Sequence, residues 1–477
     1  MNMREQNILI KPFKFTNLLS IESKLEENKH GELKASMYIQ EEDAKEYLEL
    51  NLKDLWVEVV LLEENKEEEI LFCGLLTQLE INYENTLCKM DIELKTGSYL
   101  MDLEIHTRTF QSGGLLYKNL LEVCKESYED SNFIMTVGNG ESINKFILQY
   151  KETDWHFIKR LASHFESVLF PEYKVKGSRY YFGVPNYSKE YEFTEKTYSI
   201  KKDFKEYGDK TGKGLKGVYE KDYTYYIVKS REVYRLADIF KIMGNNLYIS
   251  KIETVFDGSE LYHMYYMKAK NGFKVPKDYS INLLGASLEA NITNVKSDVV
   301  QIEVLEDENK GKCGARWFPY STVYSTPDGT GWYSMPEIKD RVRLYMPTED
   351  EAGAYVISST HLEVKEENKH KDIGDNRRVN PDYKSIMNKQ GKEVLFTPNT
   401  LLITNNKGMS IEIVDEEGIK IVSDKAITIQ AKEDVTIASA TKEVEILAPE
   451  NINMTQESNN VRLENNSYTQ GAKVEVN

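Results

Sequence analysis

The side chains with reactive potential are scattered along this chain. Cys73, Cys88, Cys124 and Cys313 contain no C-x-x-C pair. That spacing is what a zinc ribbon or a dithiol centre needs, so neither a metal site nor a dense disulfide framework is written here. His156 and His164 stand eight residues apart, whereas two ligands on one helix face need i, i+4 spacing or a Glu on the same face. Both are expected to be satisfied or exposed histidines. Asp and Glu total 78, yet no two sit beside an apolar stretch that would split their pKa values into an acid and a base. The aromatic run Trp317, Phe318, Tyr320, Tyr324, Trp332 and Tyr333 could stack bases. It has no accompanying basic residues, so loop packing or a protein interface is expected. The expectation is no catalytic residue, no metal and no cofactor: not an enzyme.

The elements that hold these residues are mostly strands. At 477 residues the chain is long enough for about three or four domains. Its 31 tyrosines against 11 prolines favour half-buried strand surfaces. Net charge is -17, which repels a nucleic-acid backbone. The start, Met1 to Ile10, lacks the basic and apolar regions of a signal peptide, and no apolar run approaches the roughly 18 residues of a membrane helix. Assembly in the cytoplasm is expected.

Residues 1–110 read as short alternating runs around Leu33–Ile39, Trp56–Leu62, Ile70–Leu76 and Cys88–Leu94, the spacing of an antiparallel barrel. From Gly113 the period changes to about 3.6, with Leu116, Leu120, Leu121, Cys124 and Tyr128 on one face. A second helix should open at Thr153-Asp154, with Trp155, Ile158, Leu161, Ala162 and Phe165 along a stripe. Strands return afterwards, so residues 111–280 read as a helical insert and a second barrel. Residues 281–363 have the size and strand number of an OB-type barrel. A charged linker, 364–395, follows.

The last segment, 396–477, carries a repeat. Apolar i, i+2 pairs recur at Ile411/Ile413, Ile419/Ile421, Ile427/Ile429, Val435/Ile437, Val444/Ile446, Ile452/Met454 and Val461/Leu463, first members eight or nine residues apart. One chain of octads has too thin an apolar face to make its own core. Three intertwined chains would bury the pairs around a common axis, so an intertwined trimeric β-helix is favoured over a single-chain solenoid. The first twelve of these residues are the expected spike core.

This order of parts resembles the VgrG-type spike proteins of contractile injection systems, a fusion equivalent to a phage T4 hub protein and its needle protein. Gln149-Tyr150-Lys151-Glu152-Thr153-Asp154-Trp155-His156-Phe157-Ile158-Lys159-Arg160-Leu161 is similar to that family's Q-Y-x-E-(S/T)-D-x-x-F-(I/V)-x-R-L signature. Asn282 to Leu288 resembles the entry to its OB domain, and Pro336-Glu337 with Asp340-Arg341-Val342 its P-E-x-G-D-x-V element, with Lys339 where glycine is usual. Gly391 to Phe396 resembles the lead-in to the spike.

The resemblance implies a homotrimer whose two barrels per chain form a pseudo-hexameric adaptor beneath the tail tube protein and among baseplate or hub proteins. It also implies a needle that meets a target membrane only on firing. Some members carry a lysozyme domain or a toxic extension, and the intervals here leave no room for either. A trimeric tail fibre or receptor-binding adhesin is the alternative; its kind lacks the hub-like half. No His follows His370 and no Cys follows Cys313, so the needle's end is expected not to supply its own N or S ligands. Val474 and Val476 are expected to dock a PAAR-like tip protein. The implied site is a phage-tail-like particle, extracellular after release or firing.

Overall fold

The computed structural model describes residues 8–49, 55–62, 68–84, 87–186, 189–193, 197–242, 244–359, 380–456 and 459–463. Strands dominate, and the chain divides into two compact units, Met1–His361 and Leu362–Asn477.

The first unit is built on a twelve-stranded sheet. Its path runs Ile8–Lys11, Trp56–Leu62, Glu68–Glu84, Leu87–Lys95, Glu32–Ile39, Asn17–Glu26, Asn245–Phe256, Leu261–Ala269, Thr224–Ser230 and Tyr198–Lys202, with Glu190–Glu192 and Ile239–Ile242 attached beside it. Strict alternation decides most faces. Cys88, Met90, Ile92 and Leu94 point inward and their neighbours outward, as a period of two requires. Where alternation fails, the ladder bulges. Val59, Val60 and Leu61 are consecutive and all buried, and the register slips between Val59 and Val60. A second bulge between Leu76 and Gln78 follows the buried pair Leu75-Leu76. An extra residue re-aims the side chains that follow it.

One seam joins the two strand groups. Asn17–Glu26 pairs antiparallel with Asn245–Phe256, placing Leu25 opposite Ile252 and Ile21 opposite Phe256. A single core therefore runs from Leu18 and Met37 through Val59 and Met90 to Ile249, Leu261 and Met267.

Between those groups lies the helical insert. Its helices are Tyr117–Lys125, burying Leu120, Leu121 and Cys124, and Asp154–Ser163, burying Trp155, Ile158, Leu161 and Ala162. The Thr153 side chain accepts from the backbone N–H of His156 and caps the second helix. Both stripes share a core with Phe110, Ile147, Tyr180 and Phe182. The structure adds two polar helices, Glu41–Glu49 and Phe204–Gly212, whose apolar positions are too few for a helical stripe to stand out in sequence.

A five-stranded sheet follows, in the order Phe318–Pro319, Val299–Val304, Ser287–Lys296, Arg341–Tyr345 and Tyr355–Ile357. Its two edges meet where Tyr320 bridges Val356 in parallel and Ser321 N–H donates to the Val356 carbonyl at 2.8 Å. This closes a small barrel around Leu288, Ala290, Ile302, Val342 and Leu344.

The second unit begins with an antiparallel meander: Lys384–Met387, Glu393–Phe396, Thr400–Thr404, Met409–Val414 and Gly418–Ser423. Ile452–Gln456 and Asn459–Leu463 form a separate hairpin. Among residues 380–455 only Gly391, Glu393 and Leu395 are buried.

Candidate functional site

The octads form an apolar surface rather than a core within one chain. Ile411 stands opposite Ile421 and Ile413 opposite Ile419 on adjacent antiparallel strands, so these four side chains share one face of the meander. All four are exposed. Beyond Ser423 the described backbone makes no strand until Ile452, and Ile427, Ile429, Val435, Ile437, Val444 and Ile446 remain 48–70% exposed. In the terminal hairpin Ile452 pairs with Leu463 and Met454 with Val461; Ile452 is half-buried and Met454 exposed. Val474 and Val476, expected at the tip, lie outside the described residues. Fully burying an Ile or Val side chain is worth about 1.5–3 kcal/mol, so roughly ten of them left in water make a surface that demands a cover.

The Gln149–Leu161 segment does different work. Its Gln149, Glu152, Asp154 and Arg160 turn inward and bind the insert to the small barrel through two ionic clusters, one wholly buried and one that reaches a partly exposed Glu308. In one, Arg160 donates through Nε and Nη2 to Glu152, the shorter contact 2.9 Å, through Nη2 to the Leu148 carbonyl at 2.9 Å, and through Nη1 to Glu351 at 2.7 Å. Lys145 approaches the other Glu351 oxygen at 3.4 Å. Burial pushes the Glu351 carboxyl up, but Arg160 and Lys145 outweigh it and hold the group below its ordinary value.

The second cluster centres on Asp154, which accepts from Arg108 at 2.5 Å, Gln149 at 2.9 Å and the Tyr128 hydroxyl at 2.9 Å. Arg108 Nε and His106 Nδ1 both reach Glu308, at 3.2 and 2.8 Å, and Thr109 N–H donates to Asp307 at 2.8 Å. Asp307 and Glu308, which follow the small-barrel strand Val299–Val304, thereby tie that barrel to the strand Ile105–Phe110. Sequence reasoning found the signature but not its partners Arg108, Lys145, Glu308 and Glu351. Arg160 and Glu351 stand 191 positions apart, His106 and Glu308 202, and in sequence the partners look like ordinary surface charges.

Neither a known family profile nor a curated protein matches the sequence. Solved structures do match in three dimensions. The E. coli c3393 protein, described as a component of the type VI secretion system with structural similarity to T4 bacteriophage tail proteins gp27 and gp5, aligns with TM-score 0.53 and 9% identity over 74% of this chain and 99% of that one. The Francisella PdpA-VgrG complex aligns with TM-score 0.56 and 10% identity over 88% of this chain and 80% of that one. The fold is that of VgrG-type spike proteins.

Within the first unit one constellation imitates a catalytic site. His30 Nδ1 lies 2.9 Å from Ser98 Oγ, and His30 Nε2 lies 3.0 Å from Asp102, the connectivity of a Ser-His-Asp relay. Burial pushes the Asp102 carboxyl up, but hydrogen bonds from His30 and Thr153 prevail and bring it down to about 2. The nucleophile position, however, is closed. Ser98 is fully buried, held by Thr96 Oγ1 at 3.0 Å. Next to it, a Cβ on Gly97 would stand 2.1 Å from the Gly177 carbonyl. No substrate carbonyl can reach Ser98 Oγ in this arrangement. His30 and Asp102 themselves line a cleft of about 310 Å³, with Lys24, Glu26, Lys29, Trp155, His156 and Lys159 around it. His156 is exposed there, and His164 is packed against the Tyr117 hydroxyl, 2.8 Å from its Nδ1. All four cysteines are buried free thiols.

Proposed function

We propose that the protein is the homotrimeric central spike of a contractile injection machine. The observation that carries this reading is the row of apolar pairs from Ile411 to Ile446, exposed in the single chain. A row with an eight- or nine-residue spacing suits a symmetric cover supplied by two further copies, because identical octads present identical faces at each level. Three chains wound together also leave few free strand edges, and such a needle can carry axial load because yielding requires several chains to separate at once.

In this reading each chain contributes two strand groups to the hub, joined at the Leu25–Ile252 seam, so three chains offer six to a sixfold tail tube protein and to neighbouring baseplate or hub proteins. The small barrel, of OB type, forms the collar. The two ionic clusters keep that collar rigid on the hub while force passes through it. The spatial likeness to a type VI secretion component and to a VgrG complex supports the same role. The protein acts mechanically, not as an enzyme, and uses neither cofactor nor nucleic acid. It assembles in the cytoplasm into a phage-tail-like particle, meets a target membrane on firing, and receives a PAAR-like tip protein at Val474 and Val476.

The test combines light scattering with negative-stain imaging of the full chain. A trimer shaped as a blunt cup with a thin needle is expected. A long knobbed fibre would instead favour the adhesin alternative, and a monomer at micromolar concentration would end the proposal.

A further inference from the structure

The small barrel carries an arm that the described residues leave uncovered. Between Phe318–Pro319 and Arg341–Tyr345 the backbone folds into a hairpin closed by a Ser325–Gly331 bridge, with Trp332 N–H donating to the Tyr324 carbonyl at 2.9 Å. Gly331, at φ 144°, allows that approach, since a Cβ there would meet the Tyr324 carbonyl at 2.4 Å. At the tip Asp328 accepts from the Thr330 N–H at 3.0 Å and its hydroxyl at 2.8 Å, and at the base the Tyr333 hydroxyl donates to the Ser297 carbonyl at 3.2 Å. The arm is thus internally bonded, yet Val323 is 87% and Tyr333 72% exposed, with Tyr324 and Trp332 exposed beside them.

We infer that this arm docks on a neighbouring copy of the same chain, against a patch formed by Leu103, Ile105, Ile281 and Leu284. This rests on the trimeric reading and names a contact within it. Three considerations select a second copy as the occupant. The first is charge: each copy carries -17, whereas Asp328 is the single charged residue from Trp317 to Tyr333, so the arm itself adds little repulsion when like-charged copies approach. The second is proximity. The roughly 26 residues between Ile357 and Lys384 span at most about 90 Å; with one such tether on each copy, arms tied to one needle meet their neighbours within about 180 Å, at about 0.07 mM or more. At that concentration a weak contact is populated.

The third is symmetry. A ring of three closes through a heterologous contact, in which one patch meets a different patch on the next copy. The receiving patch lies where the insert meets the small barrel: Ile105 pairs with Thr153, and Asn282 Nδ2 donates to the Lys151 carbonyl at 3.0 Å. Leu103, Ile105, Ile281 and Leu284 are all exposed on that stretch. An arm of two tyrosines, a tryptophan and a valine supplies the rigid aromatic anchors that protein contacts favour.

The experiment places a photo-crosslinking benzophenone at position 333 (Tyr333→p-benzoylphenylalanine) in the full chain, with light scattering run on the same preparation. Irradiation should give adducts between chains, mapping to peptides that contain residues 103–105 or 281–284. A scattering-defined trimer with no interchain adduct, or with adducts elsewhere, overturns the docking while leaving the trimer standing. A monomer overturns both. If a neutral polysaccharide quenches tryptophan emission of the trimer and Trp332→Ser abolishes that quenching, the arm is a sugar platform and the docking inference fails.

Discussion

Arg160 and Glu351, 191 positions apart, meet at 2.7 Å with side chains only 2% and 1% exposed. A buried pair of this kind contributes little against an apolar substitute, but removing one member strands the other charge in the interior. The contact is thus a specific latch between the insert helix and the small barrel.

Glu351→Ala should destabilise the first unit by about 1–3 kcal/mol, because Arg160 keeps Glu152 but its Nη1 loses a buried acceptor. Glu351→Gln should also lower stability, and it should flatten the acid limb. The native carboxyl of Glu351 lies below its ordinary value of 4.5, so its stabilisation is complete above about pH 4.5 and disappears as pH falls through the native value. Urea unfolding at several pH values measures both effects. Equal pH profiles for wild type and Glu351→Gln would remove the latch from the stability account.

His164 should make stability fall in mild acid. Burial, helped by Lys145, Arg160 and Lys277, lowers its pKa from 6.5 to about 3. Protonation therefore favours the unfolded chain, and stability is retained above about pH 6.5 and lost as pH falls toward about 3, by up to about 1.4 kcal/mol per pH unit. The Tyr117 hydroxyl lies 2.8 Å from Nδ1, a nitrogen that in the charged ring can only donate. His164→Gln should shallow the melting-temperature profile between about pH 6.5 and about pH 4.

Ile429→Asp separates the monomeric and trimeric readings. Ile429 is 70% exposed in one chain, so in a monomer the change should stay within about 0.5 kcal/mol. Around a threefold axis it would gather three like charges, each costing several kcal/mol to desolvate. Loss of the trimer of about 166 kDa, three times the 55.3 kDa chain, is the expected outcome in light scattering.

Ser98→Ala should lower stability by about 1–3 kcal/mol, the cost of leaving buried hydrogen-bonding groups unpartnered. It should change no chemistry. A fluorophosphonate probe should label neither form; labelling of wild type that Ser98→Ala abolishes would reopen the hydrolase reading.

Deleting residues 472–477 should abolish capture of a PAAR-like tip protein while the trimer persists. Capture unchanged by the deletion would move the docking surface away from Val474 and Val476.

The local patterns were legible in the amino-acid sequence because they depend on near neighbours. Alternation along Leu87–Lys95, the stripe Trp155, Ile158, Leu161 and Ala162, the Thr153 cap and the eight-residue recurrence from Ile411 all follow from the periods of strand and helix. Tertiary structure alone decided which distant faces meet. Nothing near Leu25 or Ile252 specifies that their strands adjoin, since any two apolar strand faces of similar length are compatible in sequence. It alone decided, too, that Arg108, Asp154, Arg160 and Glu351 are buried: a charged side chain is the same letter inside or outside, and only the three-dimensional pairing that desolvates it gives it a place in the interior.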